Sequence, residues 1–127
     1  MINRRLFLAS AVLAGCAIAL RPAMAQDPVK VASETTKIKL ENAHVRVLEY
    51  TSKPGQKDPM HSHPSSLICV ISGGKFKSTS PDGKSSVLEY KAGDVAWREA
   101  LTHSGENVGT TDLDVIVVEF KKPAKMK

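Results

Sequence analysis

The sequence predicts an all-β domain, a sandwich or barrel of short strands, on three observations. Apolar residues alternate with polar ones or run in short blocks, glycine- and proline-marked turns separate those blocks, and no segment sustains the 3.6-residue period of an amphipathic helix. Many short strands at turn-marked spacing favour a closed or two-layered sheet, which also removes exposed sheet edges. Helix is expected to be nearly absent.

Residues 1–25 stand apart from that domain. Arg4 and Arg5 precede an apolar run from Leu6 to Leu20, and Ala23-Met24-Ala25 supplies the small-x-small pattern of signal cleavage before Gln26. Ser10, Gly15 and Cys16 interrupt the run, which falls short of the about 20 apolar residues a span needs, so no stable membrane span is expected. The segment reads as an export signal, and the protein as periplasmic or secreted. Asn3-Arg4-Arg5-Leu6-Phe7-Leu8 resembles the twin-arginine motif, whose route carries folded proteins and suits a metal loaded before export. Leu13-Ala14-Gly15-Cys16 looks like a lipobox, but hydrophobic residues continue past Cys16, which ranks a lipid anchor there second to cleavage after Ala25. Residues 26–127 then form a single domain with a barrel core at about 38–121.

The 18 basic residues fall to 15 once Arg4, Arg5 and Arg21 are set aside, against 13 acidic ones. A net charge of about +2 is no nucleic-acid footprint. Lys121 to Lys127 reads as a solvated basic tail. With Cys16 removed or lipidated, Cys69 has no partner for an internal disulfide and is expected to act as a small hydrophobe.

The strands follow in order. Val45 to Tyr50 alternates and is stopped by Lys53-Pro54-Gly55; Leu67 to Ile71 is a continuous apolar block closed by Gly73-Gly74. Lys75 to Thr79 alternates, Pro81-Asp82-Gly83 makes a tight hairpin turn, and Val87 to Tyr90 returns. Gly93-Asp94 turns into Val95-Ala96-Trp97, and Gly109 to Asp112 leads to the last long strand, Leu113 to Phe120.

Chemistry is concentrated in the histidines. His61 and His63 are separated by one residue, so in an extended segment both imidazoles point the same way and can grip one metal ion. His103, from a distant strand, would complete the cage. His44 stands outside this pattern and reads as a surface residue.

Two spacings resemble the motifs of the cupin superfamily. Gly55, His61-Ser62-His63, Leu67 and Gly74 match the first motif, G-x5-H-x-H-x3-4-E-x6-G; Gly93, Glu99, Leu101, His103 and Asn107 resemble the second, G-x5-P-x-G-x2-H-x3-N. The resemblance extends over most of residues 45–120 and implies a double-stranded β-helix, or jelly-roll barrel, with His61, His63 and His103 as metal ligands. Leu67 stands where cupins place a glutamate ligand, Glu99 and Leu101 replace the proline and glycine, and His103 arrives one residue early. Small single-domain cupins often pair through an edge strand, which makes a homodimer the expected assembly.

Three neutral imidazoles leave the charge of a divalent ion uncancelled, which strengthens it as a Lewis acid and draws in anions. All-nitrogen ligation suits Fe, Ni, Cu or Zn. Imidazole binds metal only when deprotonated, so affinity is expected to fall as the pH drops through roughly 6. If the strand runs unbroken from His61 to Ile71, then Leu67, Cys69 and Ile71 line the pocket, with Trp97 and Met60 as further candidates. Glu99 is a solvated loop residue or, turned inward, a substitute carboxylate or general base. Asn107 reads as a turn or hydrogen-bonding residue behind the ligands. Two functions fit these residues: a metal-dependent, dioxygenase-like oxidoreductase acting on a small anion, resembling the three-histidine thiol dioxygenases, or a non-catalytic module that binds or senses a small molecule, with or without metal.

Overall fold

The structure is a computed structural model that describes residues 26–122; the segment expected to be an export signal, Cys16 within it, and the last five residues of the basic tail lie outside the described residues. Among the described residues, nine strands form two antiparallel sheets. The five-stranded sheet runs β1 (Thr36–Glu41), β2 (Val45–Ser52), β9 (Leu113–Phe120), β4 (Ser66–Ser72), β7 (Val95–Arg98). The four-stranded sheet runs β3 (Lys57–His63), β8 (Leu101–Asn107), β5 (Gly74–Thr79), β6 (Ser85–Tyr90). This is the all-β, cupin-type double-stranded β-helix that the sequence predicts. β1 is an addition to the strands read from the sequence, and β3 and β8 are the extended segments expected to carry His61, His63 and His103.

Helix is confined to one turn, α1 (Pro28–Val31), where Asp27 accepts the Val29 amide at 3.0 Å and Pro28 takes a position that needs no amide donor. No helix among the described residues is long and apolar enough to cross a membrane.

β9 organises the core. Its residues alternate strictly, with Leu113, Val115, Val117 and Glu119 buried, and it pairs with β2 on one side and β4 on the other. Leu48, Ile68, Val70, Val115 and Val117 form the resulting apolar cluster. Burying a side chain such as Leu48 contributes about 1.5–3 kcal/mol. The facing sheet meets this cluster through Phe76, whose ring stands edge-on to Tyr50 at 5.8 Å. A Cβ at Gly105 would lie 2.7 Å from the Phe76 ring, so only glycine lets β8 pass beneath it. The turn between β5 and β6 places Gly83 at φ +86°, a conformation that glycine adopts without cost.

One crossing decides which residues face inward. β3 ends at His63 in the four-stranded sheet and, after Pro64-Ser65, β4 begins at Ser66 in the five-stranded sheet. The chain changes sheets there, so the two-residue alternation does not carry through. Ser66, Ile68 and Val70 are buried, while Leu67, Cys69 and Ile71 take the outer face.

Candidate metal centre

β3 and β8 pair in a register that sets His61 directly opposite His103, with His63 two residues along β3 on the same face. All three are buried, at 5%, 8% and 3% exposure. The rings surround a common point: centroids lie 4.8 Å apart for His61–His63 and His61–His103 and 5.4 Å for His63–His103, all close to edge-on. One ligand nitrogen from each lies within 4.8 Å of the others.

The back of each ring is tied down. His61 Nδ1 donates to the Pro59 carbonyl at 2.8 Å, His63 Nδ1 to Glu119 Oε2 at 2.7 Å, and His103 Nδ1 pairs with Ser78 Oγ at 2.8 Å. With Nδ1 donating, as at His61 and His63, Nε2 carries the lone pair, and His103 does the same where the Ser78 hydroxyl accepts. This is how metal-binding histidines are oriented and how their tautomer is fixed. The residues present therefore fit a divalent ion held by three nitrogens, which at Zn–N or similar distances of about 2.1 Å would draw the rings together.

Charge reinforces the arrangement. Burial, then the nearby Arg98 guanidinium and the other two rings, push the His103 pKa down to about 2, and burial lowers His61 and His63 as well. The rings are thus held neutral, as ligation requires. Burial alone would raise Glu119, but hydrogen bonds from His63 and Arg46 outweigh it and keep the carboxylate ionised. Arg46 bridges Glu119 Oε1 and Asp27 Oδ2, both at 2.8 Å, so a chain Asp27–Arg46–Glu119–His63, buried at its inner end and half-buried at its outer, anchors the centre to the entry of α1.

A cavity of about 30 Å³ adjoins the rings, with an apolar wall that includes Leu48, Ile68, Phe76, Val115 and Val117. Polar groups reach it from Arg98, Tyr50, Tyr90 and Asp58. Among the described residues, Nε and Nη2 of Arg98, the Tyr50 hydroxyl and Asp58 Oδ2 are buried and have no hydrogen-bond partner. Asp58 Oδ1 accepts the Thr35 hydroxyl. Such groups are costly to bury unpaired, most of all a guanidinium.

The three predicted ligands meet; the predicted pocket wall does not. Leu67 pairs with Trp97 and Val118, and Cys69 with Val95 and Ile116, all turned outward by the sheet change at Pro64-Ser65. Ile71 and Trp97 are 54% and 55% exposed. Met60 is half-buried beside the irregular register between Asp58 and His61, and it does not line the cavity. Glu99 is exposed and accepts the Trp97 indole N–H at 2.8 Å, so it is not turned inward. His44 is exposed. Asn107 is fully buried, donates to the Ser52 and Thr111 carbonyls and accepts the Gly109 amide, the hydrogen-bonding role expected of it.

Arg98, Asp58, Tyr50, Ser78 and Glu119 are site residues that the sequence reading did not reach. Glu119 carried a usable signal, since an acid at the core-facing parity of a valine-rich strand is an informative buried polar group.

No sequence-family model matches the chain, and no curated protein matches it. Solved structures do. A cupin domain from Bordetella pertussis Tohama I superposes with a TM-score of 0.63 at 22% identity, covering 68% of this chain and 92% of that one. A protein with a double-stranded β-helix domain from Klebsiella pneumoniae gives 0.51 at 25% identity over 65% and 72%. Oxalate decarboxylase gives 0.51 at 25% identity, over 74% of this chain and 27% of that much longer one. The chain therefore has the cupin fold, with three buried histidines gathered where a metal ion can be held.

Proposed function

We propose that this is an exported, periplasmic or secreted metalloprotein in which His61, His63 and His103 hold one divalent first-row transition ion, Fe, Ni, Cu or Zn. The observation that carries the reading is the shared orientation of the rings, each with Nδ1 occupied from behind and Nε2 left for the interior. A bound ion supplies Lewis-acid polarisation of a coordinated oxygen and, as iron or copper, a redox route for O2.

The ligand is a small anion. Arg98 presents Nε and Nη2, the pair of donors that matches a carboxylate fork, and neither has a partner among the described residues. The cavity of about 30 Å³ has room for only two or three water-sized groups, which limits that anion to a few heavy atoms. The apolar wall keeps the remaining surroundings dry, which strengthens the attraction to the guanidinium. Asp58 is the one acid among the described residues that line the cavity.

In its catalytic form the reading is oxidation of that anion by O2, in a dioxygenase-like manner. The small cavity favours a second reading, a binding module that holds the anion without turnover. Elemental analysis of protein purified from its native host tests the metal, with one equivalent per chain expected and none overturning the proposal. Oxygen uptake by the Fe(II)-loaded protein with small carboxylates and thiols then separates the two forms. A flat trace for every compound leaves the binding module.

A further inference from the structure

Among the described residues, three that line the cavity carry buried polar atoms with no hydrogen-bond partner: Arg98, Asp58 and Tyr50. Arg98 and Asp58 come from facing sheets, on β7 and β3, and Tyr50 comes from β2. Their needs differ. Nε and Nη2 of Arg98 can only donate, and Oδ2 of the Asp58 carboxylate can only accept. Thr35 already serves the other oxygen of Asp58, which is 4% exposed.

The Tyr50 hydroxyl has a proton to give. Burial above all raises its pKa; Ser52 opposes that and the neighbouring Asp58 charge adds to it, so the hydroxyl stays protonated. Tyr50 and Asp58 are therefore neighbours, yet neither closes a hydrogen bond with the other. Burial also dominates the lowering of the His61 pKa, with Asp58 raising it and Arg98 lowering it, which places both charges around one imidazole.

We infer that the anion carries a hydroxyl group beyond its carboxylate, so that the ligand of this cavity is a small hydroxy acid. This rests on the reading of Arg98 as the holder of the carboxylate. One hydroxyl then completes both remaining groups: its proton goes to Asp58 Oδ2, and its oxygen accepts the Tyr50 proton. Formate or acetate leaves both unmet. A second carboxylate would face Asp58 as a like charge. An ammonium group serves Asp58 but cannot accept from Tyr50, and it turns its other donors toward the apolar wall of Leu48, Phe76 and Val115. A hydroxyl on the carbon next to the carboxylate keeps the ion within the few heavy atoms that a cavity of about 30 Å³ admits. Glycolate is the smallest such acid.

Isothermal titration of the Zn(II)-loaded full-length chain with acetate, glycolate and glycine tests this. Glycolate is expected to bind about 10–100-fold tighter than acetate, the worth of a hydrogen bond to a charged group. Asp58→Asn should shrink that preference about tenfold and Tyr50→Phe about threefold, the second being a neutral donor. Tyr50→Phe removes an unpartnered hydroxyl and keeps the ring edge-on to Phe76, so it reads the hydroxyl end even where Asp58→Asn disturbs the contact with Thr35. Equal affinity for acetate and glycolate overturns the inference and leaves the anion reading standing. A preference that survives both substitutions overturns it too, since chelation by the ion would then be its source. Glycine as tight as glycolate overturns the hydroxyl assignment, and no binding of acetate or glycolate removes the anion reading along with it.

Discussion

The two sheets divide the work of the candidate site unequally. All three imidazoles, together with Ser78 behind His103, come from the four-stranded sheet, where β3, β8 and β5 are hydrogen-bonded neighbours. The five-stranded sheet supplies no ligand but brings Glu119 behind His63, Arg46 behind Glu119, and Arg98 beside the cavity, with Asp58 of β3 the one charge from the other sheet. One sheet grips; the other sets protonation state and ligand choice. The difference teaches that donor geometry can be local while the electrostatics that make donors useful arrive across the core.

The sharpest way to break the comparison is to delete a grip. His103→Gln removes one of three nitrogens without a large change in volume, and metal affinity is expected to fall by more than the about 10–100-fold that supporting residues command. Competition with a chromophoric chelator reads it. Stoichiometric metal at ordinary affinity in this variant would remove His103 from the ligand set.

Next in size is the support. Glu119→Gln leaves Arg46 facing a neutral partner on one side while Asp27 still holds the other, so the expected loss is about 1–3 kcal/mol, the scale of a poorly met buried hydrogen bond. Urea unfolding should show that loss, and metal affinity should fall about 10–100-fold because His63 is no longer held by a carboxylate. If stability drops and affinity does not, the second sheet acts on folding alone.

Arg98→Met makes the opposite point. Metal content is expected to persist while affinity for a small carboxylate such as formate or acetate falls about 10–100-fold, the worth of hydrogen bonds to a charged group. Thermal stability should hold or rise, because an unpartnered guanidinium leaves the core. Equal loss of metal and anion would mean that Arg98 serves the ligands instead.

Acid titration tests the gripping sheet through its neutral rings. Burial lowers the pKa of all three histidines in the folded protein, so below about 6.5 the unfolded chain binds more protons and stability falls as pH falls. The loss of metal-free protein should approach about 1.4 kcal/mol per pH unit for each histidine still neutral in the fold. For His103 it continues down toward its pKa of about 2. Metal release is accordingly expected below the pH of 6 that ordinary histidines imply. A melting temperature flat between pH 7 and 5 would contradict buried neutral rings.

This division also explains what the sequence discloses. His61 and His63 share a face by their spacing alone, and the glycines and prolines of the turns mark strand ends because few other residues adopt those conformations, as at Gly83 and Gly93. His103 came from motif spacing, and its register opposite His61 agrees. Arg98 and Asp58 carry no such mark, since only tertiary packing decides that Arg98 turns in while Trp97 turns out. Parity reasoning from His63 to Leu67 failed for a specific reason: alternation is a property of one strand, and Pro64-Ser65 separates two strands in different sheets.

Leu67→Glu tests that last point and has the smallest expected effect on the centre. The substitution restores the acid found at this motif position in cupins, yet Leu67 pairs with Trp97 and Val118 on the outer face. A carboxylate there cannot reach nitrogens on the far side of the sheet without reversing β4, which would expel Ser66, Ile68 and Val70 from the core. Metal affinity should therefore change less than about twofold, the scale of a screened surface charge. An affinity gain of tenfold or more would show that β4 can present position 67 inward, and the assignment of faces, with everything built on it, would have to be reversed.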